Sequence, residues 1–151
     1  MYCINLGEWW IRDGKHDIPD SNLILIQITS PNDNFIESPY KHLFYNIYRF
    51  KFDDITLEDT LKYPELLDLT HNLKLISEQQ ALEIAQILIN AKKDNKNVIV
   101  SCQAGISRSG AIAQVAEELL GFEPNKQSCL RHPNKYVYAT VRDKILELMN
   151  E

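Results

Sequence analysis

The segment from Val98 to Gly110 constrains the fold more than any other stretch of the chain. The β-branched run Val98, Ile99 and Val100 leads through Ser101 into Cys102, the loop Gln103, Ala104, Gly105, Ile106 and Ser107 follows, and Arg108 stands six positions after the cysteine. Val98 to Val100 read as a short buried strand, and apolar residues from Ile112 to Leu120 recur at helical spacing. A strand that passes so quickly into a helix forces the loop between them to present successive backbone N–H groups inward. Such a concave nest fits a dianionic phosphate.

Each residue type in this loop has a chemical reason. The thiolate is the reactive form of cysteine, and a helix start and a nearby arginine both favour it, so Cys102 is a candidate nucleophile. Arg108 carries a planar fork of donors that can hold two phosphoryl oxygens together, which lysine cannot do. Gly105 lies where a side chain could block close backbone approach or forbid positive φ. Ser109 can donate a hydroxyl hydrogen bond to the sulfur and stabilise it as a leaving group. The expected phosphate-binding set is Gln103, Ala104, Gly105, Ile106, Ser107 and Arg108. The competing reading, a cysteine that is merely a small core hydrophobe at a strand end, accounts for Cys102 alone but not for its neighbours.

The string Cys-Gln-Ala-Gly-Ile-Ser-Arg-Ser closely resembles the signature loop of cysteine-dependent protein tyrosine phosphatases, above all the dual-specificity group with its Cys-x-x-Gly-x-Ser-Arg-Ser pattern. The stretch Tyr48 to Ile55 is similar to the strand and loop that carry the general-acid aspartate in that family. Residues Arg131 to Tyr138 are similar to the corresponding stretch of its compact bacterial and phage-type members. The resemblance implies hydrolysis of phosphate monoesters in two steps through a phosphocysteine, without a metal ion or other cofactor. It also implies a phosphorylated protein or peptide as substrate. One departure stands out. The family usually has histidine immediately before the nucleophile, and this chain has Ser101. A hydroxyl replaces a hydrogen bond but brings no positive charge, so activity is expected to be reduced at acidic pH without being abolished.

A leaving alkoxide or phenoxide needs a proton, so a carboxylic acid should stand across the bound phosphate from the sulfur. The resemblance assigns that place to Asp54. Asp53 is the alternative within the same motif, because adjacent residues point in different directions, and Asp68 is an outlying candidate. A solvated turn in which neither Asp53 nor Asp54 does chemistry is the competing reading. Three function classes follow: a phosphatase of phosphotyrosine and of phosphoserine or phosphothreonine, a related phosphatase of lipid, nucleotide or RNA phosphates, and a module that binds phosphorylated partners without turnover. Gln103, Ala104 and Ile106 supply no lysine for a highly anionic inositide, which weighs against lipids.

Composition bounds the rest. A chain of 151 residues, 44% hydrophobic and 25% charged, is expected to form one globular domain spanning residues 1–151. A net charge of −5 argues against a general nucleic-acid binder, which draws on clustered basic residues. Lys92, Lys93 and Lys96 fall at the end of a predicted helix, where cations complement the dipole. Met1 to Glu8 lacks the basic flank and apolar core of a secretory signal, and no apolar run is long enough to span a bilayer, so a cytoplasmic protein without membrane attachment is expected. Three separated cysteines give no disulfide framework. Cys3 and Cys129 read as inert packing, with protection of an oxidised Cys102 as the alternative. His16, His42, His71 and His132 are too scattered for a metal site. A monomer is the expectation for an enzyme of this size.

Along the chain, strands are predicted from Tyr2, over residues 22–29 and over residues 44–52, where Tyr48, Phe50 and Phe52 alternate with Arg49 and Lys51. Turn formers occupy residues 13–20 and 30–34. Trp9 and Trp10 read as core or lid packing. Residues 53–76 carry little signal beyond a short helix near Glu65. Ser77 and Gln80 form a capping box ahead of a helix running to Lys93. Gly121 ends the helix after the loop, and Asn134 caps a final one with Val137, Val141, Ile145 and Leu148 on one face. Strands joined by helical crossovers predict an α/β fold of the protein tyrosine phosphatase type, with a mainly parallel central sheet of about four to five strands flanked by helices. The phosphate cradle should sit at the carboxyl end of a strand.

Overall fold

The computed structural model describes residues 1–13, 23–67 and 72–151. Four strands, β1 (Cys3–Gly7), β2 (Leu23–Thr29), β3 (Phe44–Lys51) and β4 (Val98–Cys102), form one sheet in the order β1-β4-β2-β3. Every pairing within it is parallel. β4 lies between two partners and is buried along its whole length, which is why its sequence is a continuous apolar run rather than an alternating one. β3 is an edge strand with an exposed flank, so Phe50 is buried while Arg49 and Lys51 reach solvent. Tyr48, on the same face as Phe50, is partly buried against the core.

Successive strand residues point to opposite faces, and each face has its own core. On one side Ile24, Ile26, Ile28, Val98, Val100 and Cys102 pack beneath three helices, α3 (Glu78–Lys93), α4 (Arg108–Leu120) and α5 (Lys135–Met149). On the other, Ile4, Leu6, Leu25 and Ile99 pack against Trp10 and Ile11 of the short helix α1 (Glu8–Asp13). Each fully buried aliphatic side chain contributes about 1.5–3 kcal/mol relative to an exposed one. α1 carries no clear capping signal in the sequence and went unpredicted.

The caps behave as the sequence implies. Ser77 and Gln80 form a reciprocal capping box at α3. Gly121, at φ 71°, ends α4, and its N–H donates to Ala116 O, which also accepts from Phe122 N at 3.4 Å. Asn134 Oδ1 accepts from Tyr136 N and Val137 N, both at 3.0 Å, and opens α5. A further short helix, α2 (Leu57–Lys62), opens with a capping box between Thr56 and Asp59. That Thr-x-x-Asp signal lay in the region that gave no confident pattern. Around Glu65 the chain forms a 3-10 turn, Pro64–Leu67, rather than an α-helix. The turn formers at residues 14–20 and the residues His16, Asp68 and His71 lie outside the described residues.

From Phe122 the chain returns along the free edge of β1. Glu123 N–H donates to Met1 O and Cys129 N–H to Asn5 O, both at 2.9 Å. This return strap brings Arg131, His132 and Asn134 to the loop that follows β4. No described helix is long and apolar enough to cross a membrane.

Candidate active site

β4 ends at Cys102, and α4 begins at Arg108, ahead of the apolar positions that recur from Ile112. The side chain of Cys102 is buried, and its Sγ lies 3.1 Å from Ser109 Oγ. Ser109 sits in the first turn of α4 and is fully buried. The hydroxyl is therefore placed to donate to the sulfur whenever the sulfur carries charge.

The loop between them is held by its carbonyls. Gln103 O accepts from Glu8 N at 3.2 Å, Gly105 O from Asn5 Nδ2 at 2.7 Å, and Ile106 O from His132 N at 3.3 Å. In a planar trans peptide the C=O and the following N–H point in opposite directions. Tying those three carbonyls outward therefore turns the N–H groups of Ala104, Ile106 and Ser107 the other way. Among the described residues, none of these three N–H groups donates to another protein group. Unpaired N–H groups turned to one side of a loop make an anion-binding concavity.

Gly105 is required by space as well as by conformation. Its φ is +75°, and a Cβ there would stand 2.3 Å from Gly7 N and 2.4 Å from Leu6 C. Gly7 is the register partner of Cys102. The loop thus rests directly on the end of β1, and a side chain would pry the two apart.

Arg108 is buried beneath the loop. Its NH1 donates to Phe52 O at 2.8 Å and to Ser30 Oγ at 3.3 Å, which anchors the guanidinium to the ends of β3 and β2. Its Nε is buried and, among the described residues, has no hydrogen-bond partner. A buried, charged donor without an acceptor is costly, and a phosphoryl oxygen would satisfy it.

Asp53 and Asp54 point in different directions. Asp53 is buried and tied to the backbone of Lys74, its Oδ2 accepting from Lys74 N and its own N–H donating to Lys74 O, both at 2.7 Å. Asp54 is exposed and faces the loop: its Oδ1 accepts from Ser107 Oγ and from Asn134 Nδ2, each at 2.8 Å. An open cleft of about 440 Å³ beside it is lined in part by Asp54, Tyr63, Ser107, Asn134 and Lys135. A separate cleft of about 400 Å³, between α3 and β3, is lined by Tyr45, Tyr48, Glu83 and Lys96 among others and lies away from the loop.

Other candidates fall elsewhere. Ser101 is buried in β4 with its side chain on the opposite face from Cys102. Trp10 is core, whereas Trp9 is about half exposed, with its indole against Gly7 at the edge of the loop. Cys3 pairs with Val98, four residues down the strand from the Gly7–Cys102 pair, a separation of about 13 Å at strand rise. That is too far for a disulfide. Cys129 packs on the face of the sheet opposite Cys102. His42 and His132 have exposed side chains, and among the described residues no group of three or more His, Cys, Asp or Glu could hold a metal ion.

Two participants escaped the sequence reading. Asn134 was expected only as a helix cap, yet its amide also reaches Asp54 and Ile55 O. Asn5 was not singled out at all, although a polar residue inside the apolar run Cys3, Ile4, Leu6 is an informative exception.

No protein-family model and no curated protein matches the chain. Among solved structures it is similar to a human tyrosine phosphatase-like serine/threonine/tyrosine-interacting protein, with a TM-score of 0.61 at 15% sequence identity, over 97% of this chain and 93% of that one. The likeness shows that the fold is of the tyrosine phosphatase type.

Proposed function

We propose that the chain is a cysteine-dependent phosphate monoester hydrolase of the protein tyrosine and dual-specificity class, acting on phosphorylated protein or peptide. The observation that carries this reading is Cys102 Sγ held 3.1 Å from Ser109 Oγ under a loop whose carbonyls are tied outward. Cys102 attacks phosphorus, and the P–O bond to the substrate breaks. Asp54 gives its proton to the departing oxygen. The N–H groups of the loop and the unpartnered Nε of Arg108 stabilise the equatorial oxygens, where negative charge concentrates. Water then attacks the phosphocysteine, Asp54 takes its proton, and the sulfur leaves as a thiolate that Ser109 stabilises. Inorganic phosphate and the free enzyme result. A thiolate nucleophile suits a reducing compartment, the cytoplasm in this reading.

Hydrolysis of para-nitrophenyl phosphate in the presence of EDTA tests it. Turnover by the wild-type chain, lost in Cys102→Ser while phosphate binding remains, is the expected result. No turnover, or turnover that survives the substitution, overturns it. A panel of phosphotyrosine, phosphothreonine, lipid and RNA substrates then assigns the class.

One observation favours a second reading, recognition of phosphorylated partners without turnover. Asp54 Oδ1 already accepts from Ser107 Oγ and Asn134 Nδ2, so the carboxylate is engaged within the protein rather than free to meet a leaving group. The structural neighbour is described as both phosphatase-like and interacting. Wild-type protein that binds vanadate or a phosphopeptide and shows no turnover would establish that reading instead.

A further inference from the structure

Asn5 lies in the middle of β1, wholly buried, and every polar atom of its amide is engaged. Nδ2 donates to Gly105 O at 2.7 Å and to Cys129 O at 3.2 Å, while Oδ1 accepts from Arg131 Nε at 2.8 Å. Arg131 in turn grips Glu117 of α4 with two parallel bonds, both 2.7 Å, in a pair about one-sixth exposed. Gly110, one turn into α4, leaves room for this arginine, since a Cβ there would stand 3.3 Å from Arg131 Cγ. The chain of contacts runs from α4 through the return strap to β1 and ends on a single carbonyl of the catalytic loop.

We propose that Asn5 is a positioning residue that latches the Gly105–Ile106 peptide, so that the Ile106 N–H is aimed at the phosphoryl group, and that Arg131 and Glu117 hold the latch in place. Glu8 and His132 orient the neighbouring peptides through backbone N–H groups, which the fold itself supplies. At the Gly105–Ile106 peptide the donor is a side chain. The glycine makes the latch necessary: at φ +75° with no side chain, Gly105 has the freedom to let the peptide flip. A flipped peptide would turn a carbonyl oxygen toward the anion where a donor should be.

The proposal rests on the phosphatase reading, and its test separates the two. Asn5→Asp keeps the size and the acceptor for Arg131 but removes both donors. Asn5→Leu removes them without adding charge. Loss of one aimed oxyanion donor costs about 10²–10³ in rate where the donor contacts the substrate directly. Acting through a peptide, Asn5 should cost about 10- to 100-fold in kcat/KM on para-nitrophenyl phosphate, with vanadate affinity weakened in parallel. Both variants should show it at a temperature where circular dichroism finds them folded.

A merely structural role would lower the melting temperature and leave vanadate affinity untouched, which overturns the proposal. So does an effect confined to Asn5→Asp, which would be charge alone. Should both variants fail to fold, Glu117→Gln loosens Arg131 without touching Asn5 and must weaken vanadate binding at least three-fold. Unchanged affinity in that variant refutes the latch. Wild-type protein that binds neither vanadate nor phosphate defeats the phosphatase reading itself.

Discussion

Gly105→Ala is the sharpest perturbation of the loop. The added methyl would lie 2.3 Å from Gly7 N, 2.4 Å from Leu6 C and 2.8 Å from Leu6 O, all backbone atoms that no side-chain rotation can move aside. β1 cannot withdraw, because Leu6 and Gly7 are in register with Ser101 and Cys102 of β4. Two costs apply: about 1–2 kcal/mol for holding a non-glycine residue at φ +75°, and about 1–3 kcal/mol for the overlap. Together they predict a loss of about 2–5 kcal/mol if the loop keeps its shape. For a domain of this size that corresponds to a melting temperature lower by about 4–20 °C. If the loop yields instead, the 2.7 Å bond from Asn5 to Gly105 O breaks and the cost moves from stability to binding. Thermal unfolding followed by circular dichroism, with vanadate inhibition measured on the same sample, reads both. A variant that melts within about 2 °C of wild type and binds vanadate within two-fold would refute the steric argument.

The two aspartates and Cys3 yield further expectations. Asp54→Asn should slow substrates with poor leaving groups most, whereas Asp53→Asn should chiefly destabilise, by about 1–3 kcal/mol, by weakening its partly buried bond to Lys74 N. Equal kinetic effects from the two substitutions would count against the assignment. Burial pushes the Cys3 thiol well up, with Glu117 adding to the rise and Arg131 opposing it. The native thiol then stays neutral while the unfolded one ionises above about pH 8.5, so its contribution to stability is complete below that pH and declines above it, by up to about 1.4 kcal/mol per pH unit. Urea unfolding at pH 8 and pH 10 should therefore show a shallower alkaline loss in Cys3→Ala than in wild type. Parallel losses in the two proteins would remove Cys3 as the cause.

Much of the architecture was legible because it depends on local pattern. The capping box at Ser77, the glycine at 121 and the asparagine at 134 act within a turn of their own position, and each ends or begins a helix where expected. The continuous apolar run at β4 announced a strand buried on both faces. What was misread was weakly patterned: α1 has no clear cap, and α2 follows a stretch with no apolar period, so only the Thr56–Asp59 pair could have marked it.

The order of residues along the chain determined the chemistry that one loop can offer. A sulfur, a glycine, an arginine and a hydroxyl lie within eight consecutive positions, from Cys102 to Ser109, and a strand-to-helix passage must bring them together. Contacts between distant segments were decided only in three dimensions. Asp54, not Asp53, meets Ser107 and Asn134, 53 and 80 positions away, and Asn5 reaches its carbonyl across 100 residues. Such pairings leave no periodic trace, because they are set by how sheet, strap and helix pack after each has formed.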